Sequence, residues 1–112
     1  MKQINAYIKP HWLTKVTMAL QKVKGIGGMT VFEVRGFGRR RESDPLRPVV
    51  DDLLDFAGYM KIEIFCPDDL VEELVSIINR TAYTGLRGDG KIFVSDVQKS
   101  FRIGKGEIVE AP

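Results

Sequence analysis

Between Thr84 and Val94 the chain reads TGLRGDGKIFV, with three glycines, an aspartate and a lysine set immediately before a short apolar run. Residue types in this order suit an anion. Gly88 and Gly90 accept backbone angles closed to other residues and leave room for a ligand to approach the amides. Lys91 then adds an ammonium group at the mouth of the strand that follows. A concave run of backbone N–H groups beside a cation binds phosphate well. The same residues also suit a plain glycine-rich turn feeding a strand, and a motif this short does not choose between the two.

Other elements have to hold that stretch in place. Over residues 2 to 9, Ile4, Ala6 and Ile8 alternate with Asn5, Tyr7 and Lys9, the period of a strand, which Pro10 ends. From Trp12 the period lengthens. Leu13, Val16, Leu20 and Val23 recur at helical spacing until Gly25. His11 sits at the junction with no second ligand-type residue at a suitable spacing, and reads as a surface or capping residue. A second strand runs from Met29 to Arg35, with Thr30, Phe32 and Val34 sharing one face. A third covers Tyr59 to Cys66 and points Met60, Ile62, Ile64 and Cys66 inward. After Pro67, Asp69 with Glu72 three residues on predicts a capping box. Val71, Leu74, Val75 and Ile78 then predict a helix ending near Thr84 and Gly85. Lys91 to Val94 makes a fourth strand.

The order βαββαβ predicts an α+β, ferredoxin-like fold, a four-stranded antiparallel sheet with both helices on one face. The other face is then uncovered and carries Tyr7 and Phe32. It serves either as an interaction surface or as an oligomer interface.

Composition narrows the classes. A chain of 112 residues with 44% apolar and 29% charged residues makes one soluble globular domain with a real core. Its 17 Lys and Arg against 15 Asp and Glu leave +2, far from the excess of a dedicated nucleic-acid binder. Cys66 is the one cysteine and lies in an apolar alternating run, so it builds neither a disulfide framework nor a thiolate cluster. No apolar run approaches the roughly 18 residues of a membrane span, and the start MKQINAYIKP has no signal-peptide core. Cytoplasmic placement is the simplest expectation.

The connection from Phe37 to Gly58 is far longer than a hairpin turn, and connections of that length are usually functional or disordered. Its first part, GRRRESDP, is charged. Its second, LRPVVDDLLDFAG, sets Val49, Val50, Leu53, Leu54 and Phe56 among three aspartates at near-helical spacing. That half either folds back on its own domain or docks on a partner as a mobile arm. Arg39, Arg40 and Arg41 suit a solvated loop or a nucleic-acid backbone. No aromatic pair with a basic-glycine-aromatic run accompanies them, which argues against RNA. Set at the same sheet edge as GDGK, an arginine is better explained as a second phosphate clamp.

These pieces together resemble the PII family of nitrogen-regulatory signal-transduction proteins. The resemblance covers nearly the whole chain, treated as a single domain over residues 1–112 with a C-terminal segment from about residue 97. It rests on MKQINAYIKP, GGMTVFEVRGFGR, KIEIFCPDD and TGLRGDGKIFV. It implies a homotrimer of ferredoxin-like subunits that binds ATP or ADP in clefts between subunits. It also implies that the connection 37–58 is the family's T-loop, which engages a target protein such as a membrane transporter or a metabolic enzyme.

By the same resemblance Thr30 and Phe65 match positions around the adenine. Gly36, Phe37, Gly38 and Arg39 match the phosphate-facing base of the T-loop. Gly88, Asp89, Gly90 and Lys91 match the phosphate-binding segment, and Arg102 an arginine that reaches the phosphates from the next subunit. The partner-binding T-loop residues are then Arg40, Arg41, Leu46, Val49, Val50, Leu53 and Leu54. The expected role is regulatory and not enzymatic.

Several positions depart from the family pattern. Arg40 replaces a glutamine that helps hold magnesium and 2-oxoglutarate, and Tyr59 replaces a lysine that pairs with the 2-oxoglutarate carboxylate. Arginine has no acceptor with which to coordinate a cation. The usual 2-oxoglutarate response is therefore expected to be lost, and the residues leave open whether magnesium accompanies the nucleotide. Gly104 replaces a second arginine, with Lys105 one position on. The T-loop has no tyrosine to be nucleotidylated; its only hydroxyl is Ser43. Two alternatives to a nucleotide sensor stand beside it: a small ATP-hydrolysing or phosphoryl-transfer enzyme using Asp89 and Lys91, and a trimeric scaffold that has lost nucleotide binding.

Overall fold

Strict alternation makes β1 (Lys2–Ile8) the centre of the fold: Ile4 and Ala6 are sealed from solvent and Ile8 almost so, while Gln3, Asn5 and Tyr7 face the other way. The computed structural model describes residues 1–36 and 57–108. Pro10 stops the strand because it brings no amide donor, and its ring disfavours a helical residue before it. Lys9 is accordingly extended, at φ −66° and ψ 139°, and a 3-10 turn over Pro10–Trp12 leads into α1 (Leu13–Gln21).

Four strands form one sheet in the order β2 (Met29–Gly36), β3 (Ala57–Cys66), β1, β4 (Gly90–Asp96), with every neighbouring pair antiparallel. With α1 and α2 (Val71–Ala82) this is the expected ferredoxin-like arrangement. Ile62, Ile64 and Cys66 of β3 join the inward residues of β1 against Val16 and Leu20 of α1 and Leu74 and Ile78 of α2. Each aliphatic side chain sealed there contributes about 1.5–3 kcal/mol. Thr81, the one buried polar side chain of α2, donates its hydroxyl to the Ile77 carbonyl at 2.7 Å, so its burial costs little.

Local expectations change in five places. β3 begins at Ala57, two residues before the expected Tyr59, because Ala57 and Gly58 pair with Gly36 and Arg35; the long connection therefore ends at residue 56 and not at Gly58. No capping box forms at Asp69 and Glu72: α2 is approached through a 3-10 turn, Asp68–Leu70, and no side chain caps it. Asp68 pairs instead with the N-terminal amine at 2.8 Å. The same helix ends at Ala82, short of Thr84, because Tyr83 turns extended at φ −71° and ψ 130°. α1 ends at Gln21, before Gly25. Beyond β4, β5 (Ser100–Arg102) and β6 (Gly106–Ile108) form a small hairpin absent from the sequence expectation.

The second sheet face is open, as expected. Tyr7 and Phe93 meet edge to face with centroids 6.0 Å apart, and the Lys61 ammonium lies 5.9 Å from the Tyr7 ring and 5.2 Å from that of Phe32. Phe32 remains 40% and Phe93 55% exposed, an apolar surface of the kind that marks an interface. Among the described residues no helix is long and apolar enough to cross a membrane.

Candidate functional site

The glycine-rich stretch is shaped by its own aspartate. Asp89 Oδ2 accepts from the backbone amides of Thr84 at 2.9 Å and Gly85 at 3.2 Å, and Oδ1 accepts from the Thr84 hydroxyl. That hydroxyl oxygen in turn accepts from the Leu86 amide at 3.1 Å. The Lys9 ammonium stands 3.2 Å from Asp89 Oδ1 and 3.3 Å from Thr84 Oγ1. The Thr84 hydroxyl first, then the backbone amides and Lys9, hold the Asp89 carboxyl well below the usual carboxylate range.

Gly88 and Gly90 supply the conformations this loop requires, at φ 79° and 125°. At Gly90 the requirement is also spatial. A Cβ there would overlap the Tyr7 carbonyl oxygen and stand 2.8 Å from its carbon, so β4 can start against β1 only with glycine. The result is a short loop with its carboxylate turned inward and Lys91 leading out of it.

Thr30, Phe65 and Lys91 share the open face. Thr30 pairs with Glu63, which makes Phe65 its diagonal neighbour. Phe65 is opposite Gln3 and Lys91 opposite Tyr7, so the two stand four residues apart along β1, about 13 Å. Arg102 is exposed on β5. Phe37, Gly38, Arg39, Arg40, Arg41, Leu46, Val49, Val50, Leu53 and Leu54 lie outside the described residues.

The arginines expected at the same sheet edge as GDGK, Arg39 to Arg41, lie outside the described residues. Gly36, at the end of β2 that leads to them, does not share an edge with GDGK, because β2 and β4 are opposite edges with β3 and β1 between them. They share an end of the sheet, where Glu33, Met60, Ile8 and Gly90 stand in one row. Three strand spacings separate the two edges, roughly 14 Å. Tyr59 bridges part of that gap. Its ring lies 3.6 Å from the Cβ direction of Gly36, and its hydroxyl lies 3.5 Å from that of Gly88.

A cleft of about 350 Å³ opens beside the loop, where Val75, Asn79 and Tyr83 face Tyr7, Asp89 and Lys91. Sequence reading took Val75 only as a core position and missed Asn79 and Tyr83. It also missed Lys9 and Thr84, whose roles depend on strand register. The commitment of Asp89 to its own loop weighs against the phosphoryl-transfer alternative, which needs that carboxylate free to act on a substrate. Among the described residues no group of three His, Cys, Asp or Glu side chains is placed to hold a metal ion.

A family model described as "Nitrogen regulatory protein P-II" matches residues 1–107. Nitrogen regulatory protein P-II 1 of Escherichia coli (strain K12) is 51% identical over 107 residues, 96% of this chain and 95% of its own. The P-II proteins of Klebsiella oxytoca and Bradyrhizobium diazoefficiens are 50% and 48% identical over the same shares. All three are named as regulatory proteins. A ferredoxin-like sheet, a glycine-rich loop shaped by its own aspartate and this likeness over the chain's length converge: the chain belongs to the nitrogen regulatory protein P-II family and is a signal-transduction regulator, not an enzyme.

Proposed function

We propose that this regulator senses adenine nucleotides, binding ATP or ADP between the subunits of a homotrimer and signalling to a target through residues 37–56. A single observation carries the reading: the loop from Thr84 to Lys91 spends its carboxylate internally and leads out to a cation on the same open face as Thr30 and Phe65. Phosphates fit the Lys91 end and a base the Phe65 end. The roughly 14 Å across one sheet supports clefts between subunits, since a neighbour's β2 edge can approach where the chain's own cannot. The exposed Phe32 and Phe93 support a trimer that covers this face.

The signal is a difference in binding energy. ATP and ADP shift the target-binding equilibrium only by their differential affinity for its two states, and about 1.4 kcal/mol gives tenfold. One charge-assisted hydrogen bond is of that order. The target is a membrane transporter or a metabolic enzyme, and a transporter would bring this cytoplasmic protein to the membrane. Tyr59 fills the space between Gly36 and Gly88, which supports loss of the 2-oxoglutarate response. Isothermal titration calorimetry with ATP and ADP, each with and without magnesium and 2-oxoglutarate, tests this. Nucleotide binding that ignores 2-oxoglutarate is expected; no nucleotide binding would refute the sensor and favour the scaffold.

A further inference from the structure

We infer that Lys9 is a positioning residue for the anion-binding loop: its ammonium group neutralises Asp89, so that the carboxylate shapes the loop from inside without repelling phosphates received outside. The inference rests on the nucleotide reading above and names a residue that reading does not use.

Asp89 has two opposed effects. Its oxygens gather the Thr84 and Gly85 amides and the Thr84 hydroxyl, which gives the loop its form. Yet it also places a negative charge just ahead of Gly90 and Lys91, in the very loop that would receive a polyphosphate. Like charges within about 10 Å are only partly screened at physiological salt. A carboxylate left alone there would work against the ligand.

Lys9 removes that conflict. Its ammonium lies 3.2 Å from Asp89 Oδ1, and the two side chains are only 27% and 23% exposed, so solvent screens the pair less than a surface one. It also reaches Thr84 Oγ1 at 3.3 Å and so touches both groups that tie the loop. Its backbone is fixed: Pro10 holds Lys9 extended, and the Lys9 carbonyl accepts from the Trp12 amide at 3.1 Å. The side chain therefore comes from the rigid end of the central strand to a loop far away in sequence.

Removing this cation exposes one negative charge, and the cost grows with ligand charge. ATP, ADP and AMP carry about four, three and two negative charges, so a tenfold loss for ATP implies about sixfold for ADP and threefold for AMP. Calorimetry of the full chain, Lys9→Met, Lys9→Arg, Asp89→Asn and the double variant Lys9→Met/Asp89→Asn tests this, with thermal melting to establish folding. The expected result is that graded loss in Lys9→Met, shrinking in high salt, near-normal binding in Lys9→Arg, and little further effect of Lys9→Met once Asp89 is replaced by asparagine. Equal losses for the three nucleotides, or the same Lys9→Met loss in the Asp89→Asn background, would overturn the charge-balancing role. That background comparison still decides if Lys9→Met alone fails to fold. An unmodified chain that binds no nucleotide refutes the sensor, and the role of Lys9 falls with it; binding that Lys9→Met leaves unchanged refutes the role of Lys9 alone.

Discussion

Replacing Gly90 by alanine adds one methyl group to the start of β4, where the structure leaves it no room. The new Cβ would overlap the Tyr7 carbonyl oxygen and stand 2.8 Å from its carbon, both rigid backbone atoms of the central strand. Restoring ordinary contact moves β4 from β1 by roughly 1 Å or more. That displacement breaks the first ladder bonds of the pair, worth about 1 kcal/mol each. A non-glycine residue at φ 125° adds strain of about 1–3 kcal/mol. Gly28→Ala is the matched control, since Gly28 has φ 135° and nothing within 4 Å of its Cβ direction. The overlap should therefore cost Gly90→Ala about 2–4 kcal/mol beyond the control, a further fall in melting temperature of roughly 8–16 °C. Melting both variants by circular dichroism at one protein concentration provides the comparison. If Gly90→Ala melts within about 2 °C of Gly28→Ala, the close approach of β4 to Tyr7 is wrong.

Three further outcomes follow from named contacts. The folded-state pKa of Asp89 is depressed, so the carboxylate stabilises the fold above the usual carboxylate range and the contribution is lost as pH falls through that range and below; the gap in melting temperature between the unmodified chain and Asp89→Asn should be wide at neutral pH and narrow as the solution becomes acidic. A gap that stays constant with pH would contradict the loop geometry. Phe93→Glu puts a charge beside Tyr7 on the open face, and sedimentation equilibrium should show a proposed trimer shifting toward monomer; a trimer that persists would exclude this face from the interface. If the response to 2-oxoglutarate is lost as proposed, Tyr59→Lys combined with Arg40→Gln, which puts back the two side-chain types that the family resemblance implies for that ligand, should make nucleotide affinity respond to it in calorimetry; indifference of the double variant would refute the assignment of the loss to these two positions.

The sheet was legible where one side of a strand is sealed. Ile4, Ala6 and Ile8, and Ile62, Ile64 and Cys66, impose a period of two that only a half-buried strand satisfies. Helix ends were less so. The turn at Tyr83 leaves no mark in the apolar spacing, and a 3-10 turn took the place of the capping box expected at Asp69. The hairpin of β5 and β6 has strands of three residues each, too short for a periodic signal, although Gly104 at φ 78° marks its turn. In the candidate site the glycine-rich loop itself could be read from residue types at fixed spacing, Gly88 and Gly90 taking positive φ as expected. Lys9 could not, because its meeting with Asp89 exists only once β1 lies beside β4. The separation of Gly36 from GDGK likewise depends on strand order, which local pattern does not encode.

The pairing of Gly36 with Ala57 bears on how such a regulator diversifies. The two Cα atoms that bracket residues 37–56 are held about 5 Å apart by the ladder itself. To the domain, everything between them is an insertion whose two ends are already joined. Lengthening such an insertion costs little, about 0.6 kcal/mol for each doubling. Its composition can change wholesale without shifting the register of any strand. If that segment is the target-binding one, as proposed, new targets can be acquired by exchanging a cassette while the core that folds the protein is inherited intact.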